Sequence, residues 1–323
     1  MAWRHYVEQE TEIVTDTDAE AARPADLSDA ELEELFERCS NRGRWGADDE
    51  RGTLNLIDEA VRRRAAVLVR EGLAVPLGRP MPVAGSTIAP HPVVVQLLEP
   101  PGDRTAIDTV LVTSHDSQLT HIDTLGHAFY KGHGYNGVPR SEVVGPTALN
   151  RYSVAAARDG FFCRGVFLDV AGARGVPYLA ADEYVTIADL EAAERHGDVR
   201  VGPSDALVVH TGRAERLIAE QLPDLPVPRA GLHASVLPWL HDRDITVFLG
   251  DCTERFPPLP TAVPLPLHQI GIIAMGLWLI DAALTSDLLA TCERLGRYEF
   301  LFCCTIPELP GATGFPVNPV CVF

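Results

Sequence analysis

The sequence predicts a single mixed α/β domain preceded by a helical extension. Three observations carry this prediction. From about residue 75 onward, short apolar runs recur between glycine and proline clusters. Helical patterns lie between and after those runs, and no internal repeat or linker cleanly divides the chain. The boundaries that follow are an arm and helix over 1–44 and a catalytic-sized domain over 45–323.

Residues 1 to about 25 are acidic and lack a period. "LSDAELEELFERC" then signals a helix: Ser28 and Glu31 form a capping box, and Leu32, Leu35 and Phe36 share one face. "WGADDERGTLNLID" reads as a loop. Asp58 caps a second helix with Val61, Ala65 and Leu68 as its stripe and Gly72 as its stop. The runs "HPVVVQLL", "TVLVTSH", "GVFLDVAG", "DALVVHTG" and "DITVFLGD" are expected as buried strands. Helices are expected around 187–196, 213–221, 231–241, 266–279 and 286–296, and strands again at "YEFLFCCTI" and "NPVCVF". "LPDLPVPRAG" and "RFPPLPTAVPLPLH" are loops of restricted conformation.

At 323 residues, 46% apolar and 22% charged, the composition is that of a soluble globular protein able to bury a real core. The formal charge of −18 argues against nucleic acid or an anionic membrane as partner, since both need basic patches. The seven cysteines are odd in number and form no C-x-x-C pair, so neither a disulfide framework nor a cysteine zinc site is indicated. The N-terminus lacks the apolar core of a signal peptide, and the longest apolar run, Ile270 to Ile280, has eleven residues, two of them glycine. The expectation is a cytoplasmic protein. No P-loop or G-x-S-x-G motif is present.

The stretch "SHDSQLTHIDTLGH", residues 114–127, concentrates chemistry. If it is extended, His115, Ser117, Leu119, His121 and Asp123 share one face. Two imidazoles and a carboxylate on one face suit a divalent cation such as Zn or Mn. A turn near Asp123 would bring His127 to the same side as a general acid/base. Spacing alone leaves open a chance cluster of hydrogen-bonded core residues.

The residues that decide between these readings match a known pattern. The chain resembles the putative cyclase family, whose members include bacterial kynurenine formamidase, isatin hydrolase and metal-dependent trans-dienelactone hydrolase. Against the family motif H-x-G-T-H-x-D-x-P-x-H, Thr120, His121, Asp123 and His127 match. "DALVVHTGR", "FLGDCTERF", "PLHQIGIIAMGLWLID" and "IPELPGATGFPVNPVCVF" resemble later family segments in order, and "WGADDERGTLNLI" and "FYKGHGYNG" resemble a longer subgroup. The likeness covers about residues 45 to 323.

The resemblance implies a swivelling β/β/α fold, metal-dependent hydrolysis of amide, cyclic amide or lactone bonds, and homodimers or homotetramers acting on a small-molecule substrate. It implies His121 and Asp123 as ligands of one divalent ion, Zn or Mn, and His127 as general acid/base. His268 and Asp281 stand where second-metal ligands lie in binuclear members.

The chain departs from the pattern where Ser117 replaces the first ligand histidine, Leu119 the glycine, Leu125 the proline, and Asp281 a glutamate. His115 is the substitute ligand by analogy with the longer subgroup. His268 and Asp281 lie thirteen residues apart, about 20 Å along a straight helix, so the chain must turn near Gly271 or Gly276 for both to reach one ion. Otherwise Asp281 caps the helix of "SDLLATCERLG".

Asp251, His210, Tyr135, Asn136 and Ser117 are candidates for touching substrate, with turn or buried structural roles as the alternatives. "GATGF" reads as a glycine turn. A metal-independent cyclase, dehydratase or ring-opening enzyme using His127 and Asp123, and a non-catalytic relative, are the rival functional readings.

Overall fold

The computed structural model describes residues 24–82, 93–98, 105–115, 118–223 and 227–323. The opening acidic arm and Ser117 lie outside the described residues. Helix α1 (Asp29–Arg38) begins with the expected capping box between Ser28 and Glu31, and α2 (Glu59–Ala66) begins at the Asp58 cap. Strand β1 (Ala74–Pro76) is followed by β2 (Val94–Leu98), β3 (Ile107–Leu111) and β4 (His121–Asp123). A single turn, α3 (Arg140–Val143), leads to β5 (Phe161–Asp169), the turn α4 (Val170–Ala173), β6 (Tyr184–Val185) and α5 (Ile187–His196). Then come β7 (Ala206–His210), α6 (Arg213–Ala219), β8 (Gly231–Leu232), α7 (Leu237–Asp242) and β9 (Val247–Gly250). The chain continues through a π-helix (Leu267–Met275), β10 (Trp278–Asp281), α8 (Ser286–Leu295), β11 (Glu299–Cys304), β12 (Gly314–Pro316) and β13 (Val320–Val322).

Nine strands form one sheet in the order β1-β13-β11-β5-β7-β9-β10-β4-β12. Strands β5, β7, β9 and β10 run parallel, and every other pairing is antiparallel. The parallel centre explains the unbroken apolar texture of "ALVVH" and "VFLG": both strands are buried at every position, so alternation has no face to report.

Two runs expected as buried strands behave differently. Among the described residues β2 and β3 pair only with each other, as a ribbon whose ten residues are all exposed. An apolar run records that a strand needs cover, not which element supplies it. Among the described residues, no helix is long and apolar enough to cross a membrane.

The segment from His268 to Asp281 makes the turn that the sequence required. The π-helix stops at Gly276, which sits in the left-handed region at φ 66°, and the chain reverses into β10. Gly52 packs so tightly against Gly276 that a Cβ there would overlap the Gly276 carbonyl. Thr53 donates its N–H to the same carbonyl at 2.9 Å and its Oγ1–H to the Thr246 carbonyl beside it at 2.6 Å. The loop of "GTLNL" therefore clasps the joint between helix and strand.

Candidate active site

Strand β4 lies between β10 and β12, with Asp281 opposite His121 and Gly314 opposite Asp123. Directly paired residues project from the same face of a sheet, so His121, Asp123 and Asp281 converge by register. A turn after β4, closed by the His127 N–H to the Thr124 carbonyl at 3.0 Å, returns His127 to this face. His115 arrives from a turn rather than from the extended run proposed on sequence grounds. Room for it exists because Gly314 has no side chain: a Cβ there would lie 2.5 Å from His115 Cε1.

Asp123 is fully buried at the centre of four imidazoles. His115 Nδ1 donates to its Oδ1 at 2.7 Å, and His121 Nε2 stands 3.6 Å from the same oxygen. His268 Nε2 stands 3.2 Å from Oδ2 and 3.4 Å from Asp281 Oδ2. His127 stacks on His115 with ring centroids 4.0 Å apart. His121 donates Nδ1–H to the Leu119 carbonyl at 2.8 Å, which leaves Nε2 as the atom facing Asp123. His268 repeats that arrangement, with Nδ1 held by Glu254 at 2.8 Å.

The electrostatics follow from this packing. Burial opposes ionisation of Asp123, but the charge of His127, the hydrogen bond of His115 and the nearby His268 outweigh it and hold the carboxyl well below its usual range. Burial pushes His127 down to about 4, only partly offset by Asp123, so its imidazole is neutral at pH 7. Burial also opposes charge on His268, yet Glu254 and Asp281 raise it well above the ordinary value.

The donor set suits a divalent cation. Asp123 Oδ2 and Asp281 Oδ1 are buried without a hydrogen-bond donor, an arrangement that costs free energy unless something fills the gap. Two ligand groupings are close enough to share an ion: His115, Asp123 and His127, and His121, Asp123 and Asp281. Asp123 belongs to both. Imidazole nitrogens with carboxylate oxygens, and no thiolate, are the donors that Zn and Mn accept. His115 and His127 remain partly exposed, so the face opens to solvent on their side.

The other candidates are placed in structural surroundings. His210 is buried, with Nδ1 2.8 Å from Thr285 Oγ1. Asp251 accepts the Thr211 N–H and Oγ1–H and the Arg213 N–H, which ties down the loop after β7. It also lines a cavity of about 30 Å³ with Arg213, Arg229 and Asp281. Tyr135 is fully buried and donates to Asp49 at 3.0 Å. Asn136, at φ 59°, accepts the Gly43 N–H and donates to the Gly46 carbonyl. The last two bind the 130–137 segment to the loop at 43–49 and do not join the imidazole cluster.

Three residues at the cluster escaped sequence reasoning: Glu254, Thr313, whose Oγ1 meets His115 Nε2 at 2.8 Å, and Gly314. "GATGF" is thus more than a turn, since it supplies a strand of the sheet and a wall of the site. Only the segment's place in the family pattern could have flagged it.

Comparison with known proteins gives a consistent result. The model of the putative cyclase family matches residues 71–254, more than half of the chain. A crystal structure described as a novel cyclase superposes with a TM-score of 0.78 at 26% identity, covering 88% of this chain and 99% of that one. An isatin hydrolase bound to the product analogue thioisatinate aligns with a TM-score of 0.54 at 13% identity, over 79% of this chain and 92% of its own. Isatin hydrolase A from Ralstonia solanacearum aligns with a TM-score of 0.53 at 16% identity, over 77% and 90%. At those identities the two hydrolases report the shared fold alone. No curated protein matches the sequence.

Proposed function

This chain belongs to the putative cyclase family, a family of hydrolase and cyclase enzymes, and from that premise we propose that it is a metal-dependent hydrolase of a C–N or C–O bond in a small, cyclic amide, imide or lactone. The observation that carries the reading is the surroundings of Asp123: a buried carboxylate with one donorless oxygen, faced by the Nε2 atoms of His121 and His268 and flanked by Asp281. His121, Asp123 and Asp281, with His115 and His268 beside them, would hold one Zn or Mn ion. Such an ion supplies Lewis-acid chemistry, polarising a carbonyl and making water more acidic.

The chain's own residues do the rest. His127, neutral at pH 7 and open to solvent, takes a proton from the water whose oxygen attacks the carbonyl carbon. It returns that proton to the nitrogen or oxygen that leaves as the ring bond breaks. Stacking on His115 fixes the plane of its ring, and the Asp123 charge favours the protonated intermediate state of the imidazole.

Elemental analysis of the purified protein, followed by chelation assays on a panel of lactones, formamides and cyclic imides, tests this. The expectation is about one tightly held divalent ion per chain and a loss of roughly 10²–10⁴-fold in turnover for His127→Ala. An active protein without stoichiometric metal would overturn it. One observation favours a second reading: both nitrogens of His115 are already engaged, by Asp123 and Thr313. In that reading His127 and Asp123 perform a metal-independent cyclisation, dehydration or ring opening, and activity would survive exhaustive chelation.

We also propose a homo-oligomer, with the β2–β3 ribbon meeting a second copy. Val94, Val95, Leu97, Leu98, Ile107, Val110 and Leu111 are each 40–69% exposed. Both ribbon edges are unpaired among the described residues, and a two-fold axis lets an edge pair with its own copy. Analytical ultracentrifugation should show a dimer or tetramer that Leu97→Lys dissociates. A monomeric wild-type protein would refute it.

A further inference from the structure

Glu254 lies three residues after Asp251 in "FLGDCTERF", a position that no motif above singles out. Its side chain is buried and spends its acceptors on one residue. Oε1 accepts the His268 backbone N–H at 2.7 Å, and Oε2 lies 2.8 Å from His268 Nδ1. One carboxylate therefore grips both the main chain and the ring of His268. The first bond caps the start of the π-helix, where N–H groups lack helical partners. The second fixes the ring rotation and places a proton on Nδ1, so that Nε2 faces Asp123 and Asp281.

Glu254 is itself pinned from behind. It bridges Leu232 of β8, and the Leu232 N–H donates to the Thr253 carbonyl at 2.8 Å. Next to it, Gly231 meets the chain so closely that a Cβ would overlap the Glu254 carbonyl carbon and the Arg255 nitrogen. Backbone therefore touches backbone at this point, and the reach of the Glu254 side chain is set by a contact that only glycine permits.

We propose that Glu254 is a positioning residue, which fixes the His268 ring so that Nε2 is the atom aimed between Asp123 and Asp281 and the one a cation would meet on displacing its proton. The proposal rests on reading the Asp123 cluster as a cation site, and it makes a claim about His268 that holds without the cation. Glu254→Gln separates positioning from capping. The glutamine oxygen can still accept the backbone N–H, while the NH₂ group takes the place of Oε2 and leaves Nδ1 with only the longer 3.0 Å contact to Oε1.

Two measurements on the full-length protein decide the matter. Proton NMR of the metal-free protein should show a solvent-protected imidazole N–H signal that disappears in His268→Ala and moves upfield and exchanges faster in Glu254→Gln. Chelator competition with Mn²⁺ should show affinity reduced about 10–100-fold in Glu254→Gln, with the melting temperature little changed. An N–H signal unmoved and equally protected in Glu254→Gln, or an unaltered Mn²⁺ affinity there, overturns the proposal. A wild-type protein that binds no Mn²⁺ or Zn²⁺ would instead sink the hydrolase reading, while the N–H signal still decides the role of Glu254.

Discussion

Asp123 and Asp251 are both buried carboxylates near a histidine at the ends of strands in the same sheet, and they are opposites in how they are satisfied. Asp251 directly follows β9 and receives three hydrogen bonds from Thr211 and Arg213, with His210 Nδ1 3.5 Å away. Asp123 sits among four imidazoles, yet its Oδ2 has no aligned donor. Identical residue types therefore build a finished network in one place and an open one in the other. A finished network repays its desolvation within the fold, whereas an open one is stabilised only when something else arrives. That difference, rather than the presence of histidine and aspartate, marks the functional site.

Exchanging the two roles gives the largest expected effects. Asp123→Asn should abolish metal uptake and turnover while costing little unfolding free energy. Asp251→Asn should leave metal uptake intact and lower stability by about 3 kcal/mol, because it opposes an amide NH₂ to bound N–H groups. Urea unfolding and metal analysis of both variants check this, and equal stability losses would erase the distinction.

A smaller effect is expected at the wall of the open site. Gly314→Ala should push His115 away from Asp123 and reduce turnover roughly 10–100-fold, with Thr313→Val milder because it removes a single bond to His115. Turnover unchanged in Gly314→Ala would show that His115 has no share in the chemistry.

The smallest effect concerns a third carboxylate, which extends the finished class. Asp189 caps α5 through Thr186 and pairs with Arg174 at 2.7 Å. Burial opposes its ionisation, but the hydrogen bonds of Arg174 and Thr186 prevail and hold it below the usual carboxylate range. With the folded value depressed, its stabilisation is present above the unfolded value and is lost as pH falls through the folded one. The stability gap between wild type and Asp189→Asn, on the order of 1–2 kcal/mol, should be constant near neutrality and close below about pH 4. A gap that widens on acidification would contradict the assignment.

Much of this was readable from the chain. The Ser28–Glu31 capping box, the apolar core strands and the candidacy of His121, Asp123 and His127 follow from local pattern and spacing. His268 and Asp281 needed the family resemblance, and the turn that their separation demanded proved to be Gly276. Glu254 and Gly314 were beyond reach because their partners lie fourteen residues away or nearly two hundred, and no period connects them. His115 reaches the cluster through a turn and not through the pleat that its spacing suggested.

The clasp at Gly276 has a consequence for how such a protein can change over evolutionary time. Surface loops ordinarily absorb insertions and deletions freely, but the link from π-helix to β10 cannot. One residue more or fewer between Gly276 and Trp278 would slip β10 against β4 by one position and turn Asp281 to the far side of the sheet. The spacing between His268 and Asp281 is therefore a matter of odd or even rather than of long or short. Lineages of this architecture should vary in length almost anywhere before they vary there.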